Sequence, residues 1–227
     1  CSLKKKLLLL SGVLFANLSW AASYLAVPNL VYESGVKNYG ISNADIKGAI
    51  IKSGKFKIMN TPKSFNTDAV VASINAKQDA DSAAKASLSE SREPASFELN
   101  KPIKAANHHS PKYILVGEVV AADVHDNYYK IKGTENTTGT RTLNVSVNYN
   151  LLNLEDNSIL SSFNVSATAT QTAILNIGQS EQLQTNQGDL IKDASQDLAT
   201  KVMEELSVVN TSSDEAGTLV KNFATYN

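Results

Sequence analysis

Cysteine is almost missing from this chain of 227 residues: one stands at position 1 and none follows it. No internal disulfide can staple the fold, and thiolate-rich metal sites are excluded with it. A surplus of positive charge is missing too. The formal charge is −1, which leaves no electrostatic footprint for nucleic acid. Histidine is scarce, at three residues: His108, His109 and His125. A metal site needs more ligands than that at usable spacing, so the His108-His109 pair reads as loop polarity. There is no Gly-x-Ser-x-Gly elbow, so Asp123, His125 and Asp126 are the right residue types for a triad without a nucleophile beside them. GTENTTGTR, residues 133–141, is rich in Gly and Thr but lacks the lysine and the spacing of a phosphate loop. Glu118 is a single carboxylate on an apolar stretch, which reads as an edge position or a paired charge rather than a general acid. Enzymatic chemistry finds no foothold in this pattern, and neither does a cofactor.

What is present begins with a leader. SLKKK is a basic segment, LLLLSGVLFANL is an apolar run shorter than the ~20 residues of a spanning helix, and LSWAAS has Ser19 and Ala21 in the small-x-small arrangement of a cleavage site. Residues 1–21 are therefore expected to be a signal peptide that directs the chain to the periplasm. Cys1 lies before the apolar run, whereas a lipid-modified cysteine would lie after it. Cleavage removes three of the 21 basic residues (Lys4, Lys5 and Lys6) and none of the 22 acidic ones, moving the formal charge from −1 to −4. The mature chain then has no cysteine, which suits an oxidising compartment.

Residues 22–209 read as one α/β domain, and 210–227 as a polar C-terminal tail. YLAVPNLV, 24–31, is a buried strand that Pro28 assigns to an edge or a bulge. Asn43 caps a helix over 44–52 with Ile46, Ala49 and Ile50 on one face, and Gly54 stops it. KFKIMN, 55–60, alternates as a half-buried strand. Asn66 or Thr67 caps a second helix with Val70, Val71 and Ile74 inward. Residues 79–111 lose all periodicity and read as a long loop, helical in part before Glu93. KYILVGEVVAADVH, 112–125, is apolar on both faces at first and reads as a central strand. Residues 128–141 read as a polar excursion. Leu143, Val145, Val147, Tyr149 and Leu151 then alternate with polar residues, the turn Glu155-Asp156-Asn157-Ser158 follows, and Phe163, Val165, Ala167 and Ala169 alternate in the same way. That is an antiparallel hairpin continuing a meander. Asn186 caps a last helix whose Leu190, Ile191, Ala194, Leu198, Val202 and Leu206 form one stripe. The expected architecture is an α/β (α+β) sandwich: a small mixed sheet with a C-terminal antiparallel meander, covered by two or three helices.

KYILVGEVV (112–120) followed by LNVSVNYNLLNLEDNSILSSFNVS (143–166) resembles the globular domain shared by three bacterial envelope proteins. These are the curli-secretion lipoprotein, the lipoprotein activator of penicillin-binding proteins, and the amino-terminal domain of the periplasmic Tol-Pal translocation protein. In that family an apolar strand ending in Gly-Glu or Gly-Ser precedes a hairpin ending in Ile-Leu-Ser-Ser. Asn157 stands where the family often has Gly in the turn, and Asn tolerates the left-handed conformation. The resemblance implies a non-catalytic periplasmic subunit of an envelope assembly, a secretion or motility machine component, with peripheral outer-membrane association. An activator of a peptidoglycan synthase is the alternative, and a peptidoglycan-active hydrolase the least favoured reading. It also implies partners among other envelope proteins, including a ring-forming oligomer. The curli channel builds its barrel from long amphipathic hairpins. The corresponding segments here, 126–142 and 171–186, are polar or carry only TAILNI, so no pore is expected. Exposed aromatics beside cations suit a protein contact, which makes Tyr128, Tyr129, Lys130, Lys132 and Arg141 the candidate binding residues. Loops 79–111 and 126–142, and strand addition at 24–31, are the expected modes of contact.

Overall fold

The computed structural model describes residues 23–85, 110–175, 183 and 186–209. The leader, the tail, His108, His109 and most of the 79–111 segment lie outside the described residues.

The strict alternation of 143–151 folds as expected. Leu143, Val145, Val147, Tyr149 and Leu151 are all buried on one face of a long strand, β5 (Thr137–Asn153). Its neighbours are β4 (Tyr113–Lys130) and β6 (Ser158–Leu175), both antiparallel to it. The turn between β5 and β6 places Asn157 at φ 55°, the left-handed conformation its sequence position calls for. On the far side of β4 lie β1 (Ser23–Ala26) and then β3 (Phe56–Met59), parallel to one another, with β1 also parallel to β4. A two-residue strand, β2 (Val31–Tyr32), pairs higher up on β4 at Glu118 and Val119. The result is an open, six-stranded mixed sheet in the order β3-β1-β4-β5-β6, with β2 beside β4.

Three helices cover it. The stripe on α3 (Gln187–Ser207) buries Leu190, Ala194, Leu198, Val202 and Leu206 against the face that carries Val145, Val147 and Val165. Asn186 caps α3 as its sequence requires, its side chain accepting from Gly188 N at 3.0 Å. At the other end the Lys55 ammonium donates to the carbonyls of Leu206 and Val209 at 2.5 and 2.7 Å, where a helix C-terminus favours positive charge. Helix α1 (Ala44–Ser53) packs Ile46 and Ile50 into the same core and ends at Gly54, φ 68°; the Asn43 side chain does not cap it, contrary to expectation, because it donates to the Pro28 carbonyl and accepts from the Tyr149 hydroxyl. Helix α2 (Thr67–Lys85) lies on the opposite face, where Val70, Val71 and Ile74 meet Ile114, Val116 and Leu152 in a second, smaller core.

Two further expectations need correction. Residues 24–31 are not one edge strand. Proline has no N–H to give a ladder, and Pro28 falls in the break between β1 and β2; β1 itself is paired on both sides, so strand addition there is closed off. The helical part expected before Glu93 is present as far as Lys85, where α2 ends. Residues 126–142 are not a loop: β4 continues to Lys130 and β5 starts at Thr137, leaving only 131–136 as a turn. Ladder hydrogen bonds hold this part of the hairpin where burial no longer does.

A candidate protein-contact site at the end of the hairpin sheet

The last buried apolar pair of β5 and β6 on the face toward α3 is Leu143 and Ala169, opposite one another. Both strands continue for six more residues, an extension of about 20 Å at the usual rise per residue. A bulge between Val119 and Ala121 keeps the alternation of β4 in phase with β5 beyond this point. One face, the one toward α3, then carries Asp126, Tyr128 and Lys130 opposite Arg141, Gly139 and Thr137. The other face carries Asp123, His125, Asn127 and Tyr129 opposite Asn144, Thr142, Thr140 and Thr138.

The five residues singled out in the sequence are thus brought to one end of the molecule but not to one patch. Tyr128 and Lys130 lie on the α3 side of β4, Tyr129 on the opposite side, and Lys132 in the turn. Tyr128 lies across Gly139. A Cβ built at Gly139 would stand 3.2 Å from the Tyr128 ring and 2.5 Å from Leu183 Cδ1, so only glycine leaves room for both. Arg141 has a different role from the one expected. Its guanidinium grips Asp126 in two parallel hydrogen bonds, Nε to Oδ1 at 2.7 Å and Nη2 to Oδ2 at 2.8 Å, with both side chains about a quarter exposed. It is a clamp between β4 and β5 rather than an outward contact. These bonds from Arg141 hold the Asp126 carboxyl below its ordinary range, and Asp126 in turn raises Arg141.

A depressed carboxylate contributes stability that is present above its unfolded pKa and lost as pH falls through its folded one. Protection factors of amides 137–142, corrected for the pH dependence of intrinsic exchange, are therefore expected to be high at pH 6 and to fall in acid, as Asp126 is protonated below the ordinary carboxylate range. Asp126→Asn should show the lower protection already at pH 6. Hydrogen exchange read by NMR checks this, and equal protection of the two proteins at pH 6 would remove the clamp's role.

Two contributors were not legible in the sequence. Ile174 on β6 is 61% exposed and shares the open face with Tyr129, the two flanking Thr138 of β5 in one row across three strands. Leu183, seated on Gly139, is buried. Among the described residues six large apolar side chains are exposed, and three of them, Tyr128, Tyr129 and Ile174, gather at this one end.

The remaining sequence candidates resolve otherwise. Glu118 is not at an edge. It is buried on a central strand and accepts a hydrogen bond from Asn75 Nδ2 of α2 at 2.9 Å. Asp123 and His125 pair at 3.1 Å on the open face, while Asp126 points to the other, so the three do not converge. Among the described residues no cluster of three His, Cys, Asp or Glu side chains gathers. A cleft of about 350 Å³ beside the 27–31 connection holds Lys47, Thr61, Thr67 and Asp68, without His, Cys or Ser.

The fold defines a mixed α/β protein: an open sheet between helices, extended at one end as a three-stranded ribbon. No family model matches the chain, and no curated protein matches it. Solved structures that it is similar to include a hypothetical protein of Chlamydia trachomatis (TM-score 0.44, 11% identity, 82% of this chain and 96% of that one). Another is the lipoprotein GNA1162 of Neisseria meningitidis (TM-score 0.36, 16% identity, 82% and 98%). A third is the LpoB C-terminal domain of Salmonella enterica (TM-score 0.28, 18% identity, 64% and 82%). All three TM-scores lie below 0.5, so these likenesses assign no function to this chain. No helix among the described residues is long and apolar enough to cross a membrane.

Proposed function

We propose that this chain is a non-catalytic, protein-binding subunit of a bacterial envelope assembly, and that the end of the β4–β5–β6 sheet is the part that grips its partner. The observation that carries this reading is the gathering of Tyr128, Tyr129 and Ile174 beside Lys130 and Lys132, beyond the helix-covered core. Tyrosine supplies contact area with little side-chain entropy to lose, and aromatics beside cations are the residues interfaces favour. The rigid ladder beneath them presents the contact without a folding cost on binding. The periplasmic setting rests on the leader and on the resemblance of 112–120 and 143–166 to the envelope domain family.

The test shortens the hairpin without disturbing its clamp. Tyr128 and Gly139 are register partners, so residues 129–138 can be replaced by Asn-Gly, a two-residue hairpin turn. Neighbours crosslinked to the full chain in native envelopes should be missing from the shortened protein, while its thermal unfolding moves by no more than about 2 °C. Retention of the same neighbours by the shortened protein would refute the assignment.

A further inference from the structure

A sheet edge presents unpaired N–H and C=O groups and invites another chain unless something blunts it. The edges here are guarded unequally. β3 is four residues long, with Lys55 and Lys57 at its start. β4 beyond its bulge carries Asp123, His125 and Lys130. β6 is guarded over part of its length by α3. The Thr168 N–H donates to Asp197 Oδ2 at 2.9 Å, and the Ser166 carbonyl accepts from Lys201 Nζ at 2.6 Å. Those two bonds also show that even-numbered residues of β6 turn their backbone groups outward.

Past Thr168 this guard stops. Thr170, Thr172 and Ile174 turn outward with no described residue pairing to them on that side. The segment TQTAIL, residues 170–175, contains no charge, no Pro and no Gly. Among the described residues it is a β-prone edge without the guard that α3 gives the rest of β6.

We propose that this edge pairs with the same edge of a second copy of the chain, antiparallel, about a twofold axis through Thr172. That register sets Thr172 against Thr172 and Thr170 against Ile174, with about six ladder hydrogen bonds between outward-turned groups. Self-pairing opposes no like charges, because the segment has none. It brings Ile174 against the methyl of Thr170 in the second copy and closes as an isologous dimer rather than an open fibre. A strand pair of this length falls below a standard interface, so the dimer is a weak one that forms with rising concentration. It shares Ile174 with the hairpin-end contact, but Tyr128 and Tyr129 lie on β4, two strands away, so Tyr129→Ser should leave the dimer unchanged and separates the two.

The test uses the full chain in a Cys1→Ser background. Thr172→Cys should form a disulfide-linked dimer on mild oxidation, since only residue 172 faces itself across the axis. Ser162→Cys, on the same edge but far from the axis, should not. Light scattering on the unsubstituted chain should show a mass rising from 24.4 kDa toward twice that value with concentration. Thr172→Lys should hold it at the monomer with an unchanged melting curve. A monomer at the highest soluble concentration overturns the proposal and leaves the edge to a peptide of another protein. Equal crosslinking from Ser162→Cys, or a mass growing beyond the dimer, overturns it as well.

Discussion

Replacing Tyr149 with alanine lowers the stability of this protein by about 3–5 kcal/mol, the cost of truncating a buried aromatic whose surroundings cannot collapse. Tyr149 is completely buried, and its ring stacks on Phe163 with centroids 5.6 Å apart and planes at 27°. The ring also fills the space above Gly117: a Cβ there would stand 2.6 Å from Tyr149 Cε1 and from Leu30 Cδ2. Its hydroxyl donates to Asn43 Oδ1 at 3.2 Å, and Asn43 donates in turn to the Pro28 carbonyl at 2.9 Å. One side chain therefore ties β5 to β6, to the N-terminus of α1 and to the connection after β1. Tyr149→Phe keeps the packing and strands the Asn43 oxygen, at a cost of about 1 kcal/mol. The denaturant midpoint should fall in the order Tyr, Phe, Ala with an unchanged slope. Burial pushes the Tyr149 phenol well above its ordinary pKa. Its contribution is thus fully present below about pH 10 and is lost as pH rises beyond, because only the unfolded chain can ionise it there. The Phe variant should lack that component of the alkaline loss.

Replacing Tyr128 and Tyr129 together by serine is expected to weaken partner binding about 30-fold or more, the loss that accompanies removal of an interface hot spot. The melting temperature should move by no more than about 2 °C, since both side chains are substantially exposed. The two tyrosines occupy opposite faces, so their single substitutions differ. Tyr128 rests on Gly139 and is 46% exposed, whereas Tyr129 at 58% and Ile174 at 61% share the open face. Tyr129→Ser and Ile174→Ser should therefore each lose more affinity than Tyr128→Ser. Titration against a crosslink-identified partner checks the order.

The elements legible in the sequence are those whose burial is periodic. Alternation over 143–151 and 163–169, the α3 stripe with its Asn186 cap, and the Gly54 stop each follow from one face meeting a core. The outer halves of β4 and β5 were not legible for the converse reason. Residues 126–130 and 137–142 meet water or other polar groups on much of their surface, so their composition looks like a loop while their backbone is fully laddered. The place of β1 was hidden because its partner β3 arrives only after α1, a pairing that no local pattern encodes. The aromatic and cationic members of the site were visible as residue types. Parity separated them: β4 sends Asp126 toward Arg141 and Asp123 toward the open face. Register added Ile174, whose position beside Tyr129 depends on strands 45 residues apart in sequence.

The most direct test of the hairpin-end contact is where this protein touches another in its native envelope. A photo-crosslinking residue placed singly at 128, 129 or 174 should trap a neighbouring protein. The same residue at Asn148 or Asn164, on the polar face nearer the core, should trap none. No adduct at the hairpin end, with adducts at 148 and 164 or beside Lys47 and Asp68, would contradict it.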